Sequence, residues 1–549
     1  MVDKHDIRFE KVLGKNISPS ETQIELCDFI LHKVGNATVE SRAGSGKSKT
    51  IELLVHFVPE GKKTLVVCFN KHIAEHLQEK FKEDNIKVDV MTYHSLGNKI
   101  LSYKKHINVK NNFKEDKYRS YILSNINVLN IDYESFNKGN KTIYRRNLEK
   151  LVDYARYNLM QSKKEINKIA NKYGITLISN ECEAVSKILS WGSEHIEEYD
   201  YQDMIWLPYE LGIGGNIVPL QYDFIFVDEG QDSSLAQQNL INICKKRNTR
   251  FIVFGDSFQT INSWAGSDED AFLNFNKQDN VKKFTLNISY RCAKKIAELA
   301  KTFVPDFTTP EWAEEGEVNY DVPLSNIQKG DMVLCRLTAP LVDLHLRLIN
   351  SNLPSKIRGV ELGKQLISLI NECNSDNVSD IHSDIEKKLI EQWIKLSEEN
   401  DMSLKDAASE NDIMLGYDTL LTFNIISKGI ITKKELIEKI NELLIKNTEE
   451  NNEDVNNIHL TTIHRAKGLE NDRVFILCPS LLPSRLAHKD WEIKAEQNLI
   501  YVAYTRAKKS LNFVSEKDFP PSLSYSGIDN MYSALLKLKE KYNEEQTKI

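Results

Sequence analysis

Short apolar runs alternate with amphipathic stretches over the first hundred residues. Residues 37–40 form a short extended run that enters a glycine-rich loop, and residues 64–69 (T-L-V-V-C-F) are short and β-branched. Apolar side chains at Ile73, Leu77 and Phe81 give residues 71–81 a helical period, and 88–92 is extended again. Two further runs, 223–227 and 250–254, read as buried strands. Strands alternating with helices, with polar motifs at the strand ends, predict an α/β fold around a parallel sheet. A second pattern of the same kind begins near Asp331, breaks off after Ile349 and resumes at Ile458. Its later strands fall at 473–477 and 510–514, and a last helix at 531–542.

The chain therefore reads as two α/β cores, each split by a mainly helical insert. The first core is expected over 1–100 and 205–290, with its insert at 101–204. The second is expected over 291–349 and 458–520, with its insert at 350–457, and a C-terminal helix and tail occupy 521–549. The inserts differ in charge. Residues 101–165 hold 14 Lys+Arg against 7 Asp+Glu, interleaved with Tyr103, Phe113, Tyr118, Tyr121, Tyr144, Tyr154 and Tyr157. A basic face with stacking rings suits a nucleic-acid strand; an ordinary solvated helical insert has the same composition. Residues 371–457 hold 20 Asp+Glu against 9 Lys+Arg, so this insert is acidic.

Over all 549 residues the formal net charge is −7. That excludes a wholly basic nucleic-acid coat and leaves room for a basic groove. The eight cysteines are scattered and no two form a C-x-x-C. This argues against zinc ribbons, clusters and secreted disulfide scaffolds, and a reducing cytoplasm fits best. The first 14 residues lack an apolar signal region, and no run of 18 apolar residues occurs, so neither a signal peptide nor a membrane span is expected. Trp206, Trp312, Trp393 and Trp491 read as packing residues.

The sharpest chemical signal is Ser41-Arg42-Ala43-Gly44-Ser45-Gly46-Lys47-Ser48, followed by Lys49. It follows the phosphate-loop pattern, with Ser41 standing where the first glycine is usual. A strand precedes it and residues 49–57 can form the helix after it, which is the context the motif needs. The glycines let backbone N–H groups converge on phosphate, Lys47 reaches the β- and γ-phosphates, and the Ser48 hydroxyl is placed to ligate Mg²⁺. Further on, Phe224-Ile225-Phe226-Val227 ends in Asp228-Glu229-Gly230-Gln231-Asp232. Asp228 can hold Mg²⁺ through its water shell, and Glu229 is then placed to polarise an attacking water.

With these motifs in order, the chain resembles the superfamily 1 DNA helicases of the UvrD/Rep/PcrA type from about Ile17 to Val514. The resemblance implies two RecA-like phosphate-loop NTPase domains. Gln23 matches the glutamine that recognises adenine. Phe254-Gly255-Asp256-Ser257-Phe258-Gln259-Thr260-Ile261 matches the segment in which Gln259 senses the γ-phosphate. Trp264 matches an aromatic that stacks on a base. Tyr290 would stack on adenine and Arg291 would contact the γ-phosphate. The stretch from His459 to Glu470 gives Thr462 and His464 a place facing DNA and Glu470 a place at the ribose. Arg506 would be the second arginine on the γ-phosphate. The same carry-over assigns Phe69, Asn70, Tyr93 and His94 to the DNA groove. A fixed guanidinium at a transferring phosphoryl group is worth about 10³–10⁵ in rate.

The resemblance implies ATP and Mg²⁺ as substrate and cofactor, single-stranded and tailed duplex DNA as partners, and 3′-to-5′ movement with unwinding. The chain departs from the family at Asn262, where an aromatic is common, at Ser289 for Asn and at Cys292 for Ser. Its acidic insert is also shorter than that of the large members. That insert is the candidate surface for a protein partner, and the chain is otherwise expected to be a monomer. The alternative is a DNA-stimulated translocase subunit of a larger complex, with little unwinding of its own.

Overall fold

The computed structural model describes residues 2–15, 17–105, 113–173, 175–214, 217–261, 271–276, 281–358, 360–399, 403–408, 410–445, 456–484, 487, 490–518 and 528–546. The chain divides into two compact units, Met1–Ile288 and Ser289–Ile549.

The first unit is built on six parallel strands: β1 (Asn36–Ser41), β2 (Thr64–Cys68), β3 (Asp89–Thr92), β4 (Tyr222–Val227), β5 (Lys245–Gly255) and β6 (Val281–Leu286). Their spatial order is β3-β2-β4-β5-β1-β6. Strand side chains alternate between two faces, and here both faces are covered. Phe224, Phe226, Ile252, Phe254 and Val39 pack with the helices Glu21–His32 and Lys47–His56. Ile225, Val227, Phe251 and Val253 pack on the other side. Two-sided burial makes β4 a continuous apolar run, as parallel strands usually are.

The helices between β3 and β4 share that second core, through Tyr118, Ile122, Tyr144, Leu148, Leu151, Ile188 and Trp206. Part of the expected basic, aromatic face is therefore interior. Tyr144 is fully buried and Tyr118 nearly so. Lys117 and Arg156 are each 1% exposed and neutralised by acids: Lys117 Nζ lies 2.8 Å from Asp203, and Arg156 lies 2.8 Å from Asp200 and 3.1 Å from Asp203. These two cations fasten helices together and are not offered to a strand. Tyr103 and Phe113 remain exposed.

The second unit repeats the plan with β7 (Glu317–Val322), β8 (Met332–Cys335), β9 (Ser355–Ile357), β10 (Ile458–Thr462), β11 (Asn471–Ile476) and β12 (Ala507–Val514), all parallel, in the order β7-β12-β11-β8-β10-β9. One core runs from Val333, Leu460 and Phe475 into the acidic insert through Ile381, Ile385, Trp393 and Phe423. It continues to Met531 and Leu535 of the last helix, Ile528–Gln546. Asp418 of the insert accepts hydrogen bonds from the backbone N–H groups of Thr338 and Ala339, both at 2.9 Å. It thereby caps the helix Ala339–Asn350, whose first donors have no partner within the helix. Trp206 and Trp393 are packing residues, as expected. Trp312 is 74% exposed and is not.

Among the described residues no helix is long and apolar enough to cross a membrane. All eight cysteines are buried and none is in a disulfide.

Candidate nucleotide site and strand-contact residues

β4, β5 and β1 are neighbours in the first sheet, so the segments leaving their C-terminal ends converge. After β1 the chain turns through Gly44 (φ 72°) and Gly46 (φ 76°) into the helix Lys47–His56. Both glycines occupy the left-handed region that side chains disfavour. Ser41, in place of a glycine, is buried and donates its hydroxyl to the Val39 carbonyl at 3.1 Å. The loop is tied to the sheet edge by Arg42, whose N–H donates to the Leu286 carbonyl at 2.8 Å. Ala43, Ser45 and Ser48 line the same turn, and the Ser45 hydroxyl is buried without a hydrogen-bond partner. Lys49 instead pairs with Glu52 at 2.8 Å.

Asp228 and Glu229 leave β4 opposite this loop. Lys47 Nζ donates to Glu229 Oε1 and lies 3.4 Å from Asp228 Oδ1. Burial alone would lower the Lys47 pKa; the negative charges of Glu229 and then Asp228 outweigh it and raise it. Asp228 is 1% exposed, and burial raises its pKa against the pull of Lys47. Its second oxygen, Oδ2, is buried and has no hydrogen-bond partner. A buried carboxylate oxygen without a donor is costly, and a cation held with Ser48 would satisfy it. The donor set therefore fits Mg²⁺.

Glu229 sits at φ 51°, ψ 42°, a left-handed backbone that costs a non-glycine residue about 1–3 kcal/mol. The turn is over-determined. A Cβ on Gly230 would meet Val253 Cγ1 at 2.3 Å, and one on Gly255 would meet Gln231 Oε1 at 2.7 Å.

Sequence reasoning gave Gln231 and Asp256 no role, although both lie inside the motifs it singled out. Gln231 Nε2 donates to Glu229 Oε2 at 2.5 Å, while its Oε1 accepts from the Asp256 backbone N–H at 3.1 Å. Asp256 Oδ2 in turn accepts from Gln259 Nε2 at 2.7 Å. Asp256 is wholly buried, and burial pushes its pKa up to about 6 against the attraction of Arg42. An unbroken line of polar contacts thus runs Lys47–Glu229–Gln231–Asp256–Gln259.

Gln23 is buried, with its amide engaged at both ends. Its Oε1 accepts from the Ser20 N–H at 2.9 Å, and its Nε2 donates to Thr50 Oγ1 at 3.0 Å. These bonds orient the Gln23 amide and leave its second N–H and second lone pair for a further partner.

In the second unit, Arg291 Nε donates to Glu470 Oε2 at 2.6 Å and its Nη1 to the Thr505 carbonyl at 3.2 Å. Lys508 holds the other oxygen of Glu470 at 2.8 Å. Burial would raise the Glu470 pKa, but Arg291 and Lys508 hold it below the ordinary carboxylate value. Arg506 is 1% exposed and donates to the carbonyls of Val502 (2.9 Å) and Leu469 (3.0 Å). Burial, then the charge of Arg291, pushes its pKa down to about 9. Tyr290 is 39% exposed.

The expected strand contacts divide. Phe69 is exposed, and Asn70 caps the helix Lys71–Glu83 by accepting from the His72 N–H at 2.9 Å. His94 is exposed and edge-on to Tyr201, which itself contacts the ring of Phe113. Tyr93 corrects the expectation: it is 2% exposed within the first unit's core and presents no face to a strand. Thr462 ends β10 and His464 follows it, and both are half-buried. Burial and then Arg336 push the His464 pKa down to about 3, so its ring is uncharged near neutral pH in the free protein. Trp264, with Asn262, lies outside the described residues.

Comparison with known proteins accords with this arrangement. The UvrD/REP helicase N-terminal domain matches residues 25–280, and the UvrD-like helicase C-terminal domain matches 457–514. Among curated relatives, a probable DNA helicase II homolog of Mycoplasma capricolum is 24% identical over 85% of this chain and 80% of its own length. The ATP-dependent DNA helicase Rep of Buchnera aphidicola is 22% identical over 87% and 92%. The ATP-dependent DNA helicase PcrA of Leuconostoc citreum is 24% identical over 59% and 48%. Two family domains in sequence order, each covering one of the two parallel sheets' motif strands, leave one assignment: the chain belongs to the UvrD-type superfamily 1 helicases.

Proposed function

We propose that this protein hydrolyses ATP to move 3′ to 5′ along single-stranded DNA and to unwind duplex DNA ahead of it. The observation that carries the reading is the polar line from Lys47 to Gln259. It joins the phosphate loop, a strained carboxylate and a residue at the end of the neighbouring strand. In this reading Lys47 binds the β- and γ-phosphates, Ser48 and Asp228 hold Mg²⁺, and Glu229 polarises the attacking water. Mg²⁺ supplies charge neutralisation at the phosphate oxygens. Gln259 registers the γ-phosphate at the far end of the line. Gln23 and Tyr290 take the adenine, Glu470 the ribose, and Arg291 and Arg506 the charge that develops on the transferring phosphoryl group. Phe69, Asn70, His94, Thr462 and His464 are the strand contacts. ATP binding and release shift the balance between two conformations with different grips on DNA, which gives direction to the movement.

The test is an unwinding assay on 3′-tailed, 5′-tailed and blunt duplexes with ATP and Mg²⁺, with Glu229→Gln as control. The expected result is strand separation on the 3′-tailed substrate alone, lost in Glu229→Gln, which still binds ATP. Equal unwinding of 5′-tailed duplex overturns the polarity. ATPase activity in Glu229→Gln within a few-fold of wild type overturns its role. A second outcome, single-strand-stimulated ATP hydrolysis without unwinding, selects the translocase-subunit reading.

A further inference from the structure

Trp312 has no packing role: it is 74% exposed on the second unit. A neighbouring ring is that of Tyr290, at a centroid separation of 6.5 Å and an interplanar angle of 30°. The segment that carries it is bolted down on both sides. The Ser289 N–H donates to the Thr308 carbonyl at 2.7 Å, and those of Lys294 and Lys295 donate to the carbonyls of Glu314 and Glu315 at 2.9 and 3.0 Å. Lys294 also pairs with Glu315 at 3.1 Å. Beyond them Gly316, at φ +65°, lies so close that a Cβ there would meet Ala293 Cβ at 2.3 Å. The loop is therefore fixed to the stretch that carries Tyr290 and Arg291. With the backbone of this loop already ordered, stacking on the Trp312 ring would cost mainly the freedom of that one side chain.

We propose that Trp312 is a second stacking ring for the adenine base of ATP, working beside Tyr290 and setting the preference for a base-bearing nucleotide. This inference rests on the reading of Tyr290 as a base contact. Polar groups for the rest of a nucleotide stand on the same unit: the Glu470 carboxylate between Arg291 and Lys508. Ring-on-base contact is sequence-tolerant, so Trp312 would favour base-bearing nucleotides over a bare polyphosphate and leave discrimination among bases to groups that hydrogen-bond.

Isothermal titration of the full-length protein with ADP and with inorganic tripolyphosphate, both with Mg²⁺, and with a single-stranded thymine oligonucleotide tests this in wild type, Trp312→Ala, Trp312→Phe and Tyr290→Ala. Trp312→Ala is expected to weaken ADP about 5- to 150-fold, leave tripolyphosphate unchanged, and recover most of the loss in Trp312→Phe. Unchanged ADP affinity in Trp312→Ala overturns the inference, as does an equal loss on tripolyphosphate. A loss confined to a single-stranded thymine oligonucleotide also overturns it, because the ring would then serve the strand. If Tyr290→Ala weakens ADP and Trp312→Ala does not, only the Trp312 assignment falls. If Tyr290→Ala binds ADP normally, the underlying base-site reading falls.

Discussion

Lys47→Ala is expected to do more than stop hydrolysis: it should destabilise the first unit before any nucleotide is added. In the structure Lys47 is the counter-ion of two carboxylates, Glu229 through a direct hydrogen bond and Asp228 at 3.4 Å. Asp228 is 1% exposed, so its charge cannot be handed to water. Removing one partner of a buried ion pair costs about 3–5 kcal/mol. Lys47 and Glu229 retain 15% and 23% side-chain exposure, which places the loss near the lower end, about 3 kcal/mol. For a unit of this size each kcal/mol moves the melting temperature by about 2–4 °C, giving a drop of roughly 6–12 °C. The sign of the pH dependence follows from Asp228. Its folded pKa is already raised by burial and rises further without Lys47. A carboxyl raised in the folded state carries a penalty that is full above its folded pKa and vanishes as the pH falls below its unfolded value. The deficit should therefore be larger at pH 8 than at pH 5, and Lys47→Ala/Asp228→Asn should recover much of it. Differential scanning calorimetry without nucleotide reads all three quantities. A Lys47→Ala protein that melts with wild type at pH 8 refutes the counter-ion argument, whatever its ATPase activity.

Two further outcomes follow from the same groups. Arg291→Ala and Arg506→Ala should each slow hydrolysis by about 10³ or more while nucleotide-free DNA affinity stays within a few-fold, checked by steady-state ATPase and fluorescence anisotropy; a tenfold loss of DNA binding with turnover intact would mean the arginine serves the strand. Asp256, with a pKa of about 6 against an ordinary 3.8, loses folded-state stabilisation as the pH rises from about 4 to about 6, so Asp256→Asn should gain on wild type across that window by at most about 3 kcal/mol; parallel denaturation curves at pH 4.5 and 7 would count against it.

The sequence disclosed the central strands because both faces of each are buried, and two-sided burial writes an apolar run such as F-I-F-V into β4. Three strands went unread: β6, β7 and β9. Two of them, β6 and β7, are edge strands carrying Lys, Glu, Asn and Asp on solvated positions, and β9 has only three residues at the opposite edge. The phosphate loop and the acids were legible because their chemistry requires particular residues next to one another. Gln231 and Asp256 were hidden in plain view, since a glutamine or aspartate inside a motif does not show which neighbour it bonds. Tyr93 and Trp312 were misread for one reason. Whether an aromatic faces inward or outward depends on what packs over it, and local composition does not fix that. Lys117 and Arg156 failed similarly, because charge counting cannot tell a cation facing solvent from one paired with Asp203 in the interior.

The charged groups of each unit already have internal partners, and this bears on how hydrolysis would be kept in check. Lys47 is held by Glu229 and Asp228, Arg291 by Glu470, and Arg506 by backbone carbonyls. A phosphate chain arriving at Lys47 competes with the carboxylate that is proposed to activate water, so it gains less than a free ammonium would give. On the proposed reading, the same exchange would remove the ammonium from Glu229 and leave the carboxylate a stronger proton acceptor once phosphate has taken Lys47. A ribose at Glu470 would, on that reading, compete with Arg291 in the same way and would free a guanidinium when a nucleoside binds. Binding then consists of exchanged partners, with activation as the by-product of the exchange. If the Glu229 carboxylate moved, its bond from Gln231 would be strained or lost, and the contiguous contacts to Asp256 and Gln259 offer a route by which the exchange at Lys47 would be felt there. A ligand can shift such a two-state element only by its differential affinity for the two arrangements, and the Lys47 exchange supplies a differential that neither ADP lacking a γ-phosphate nor DNA alone can reproduce in full.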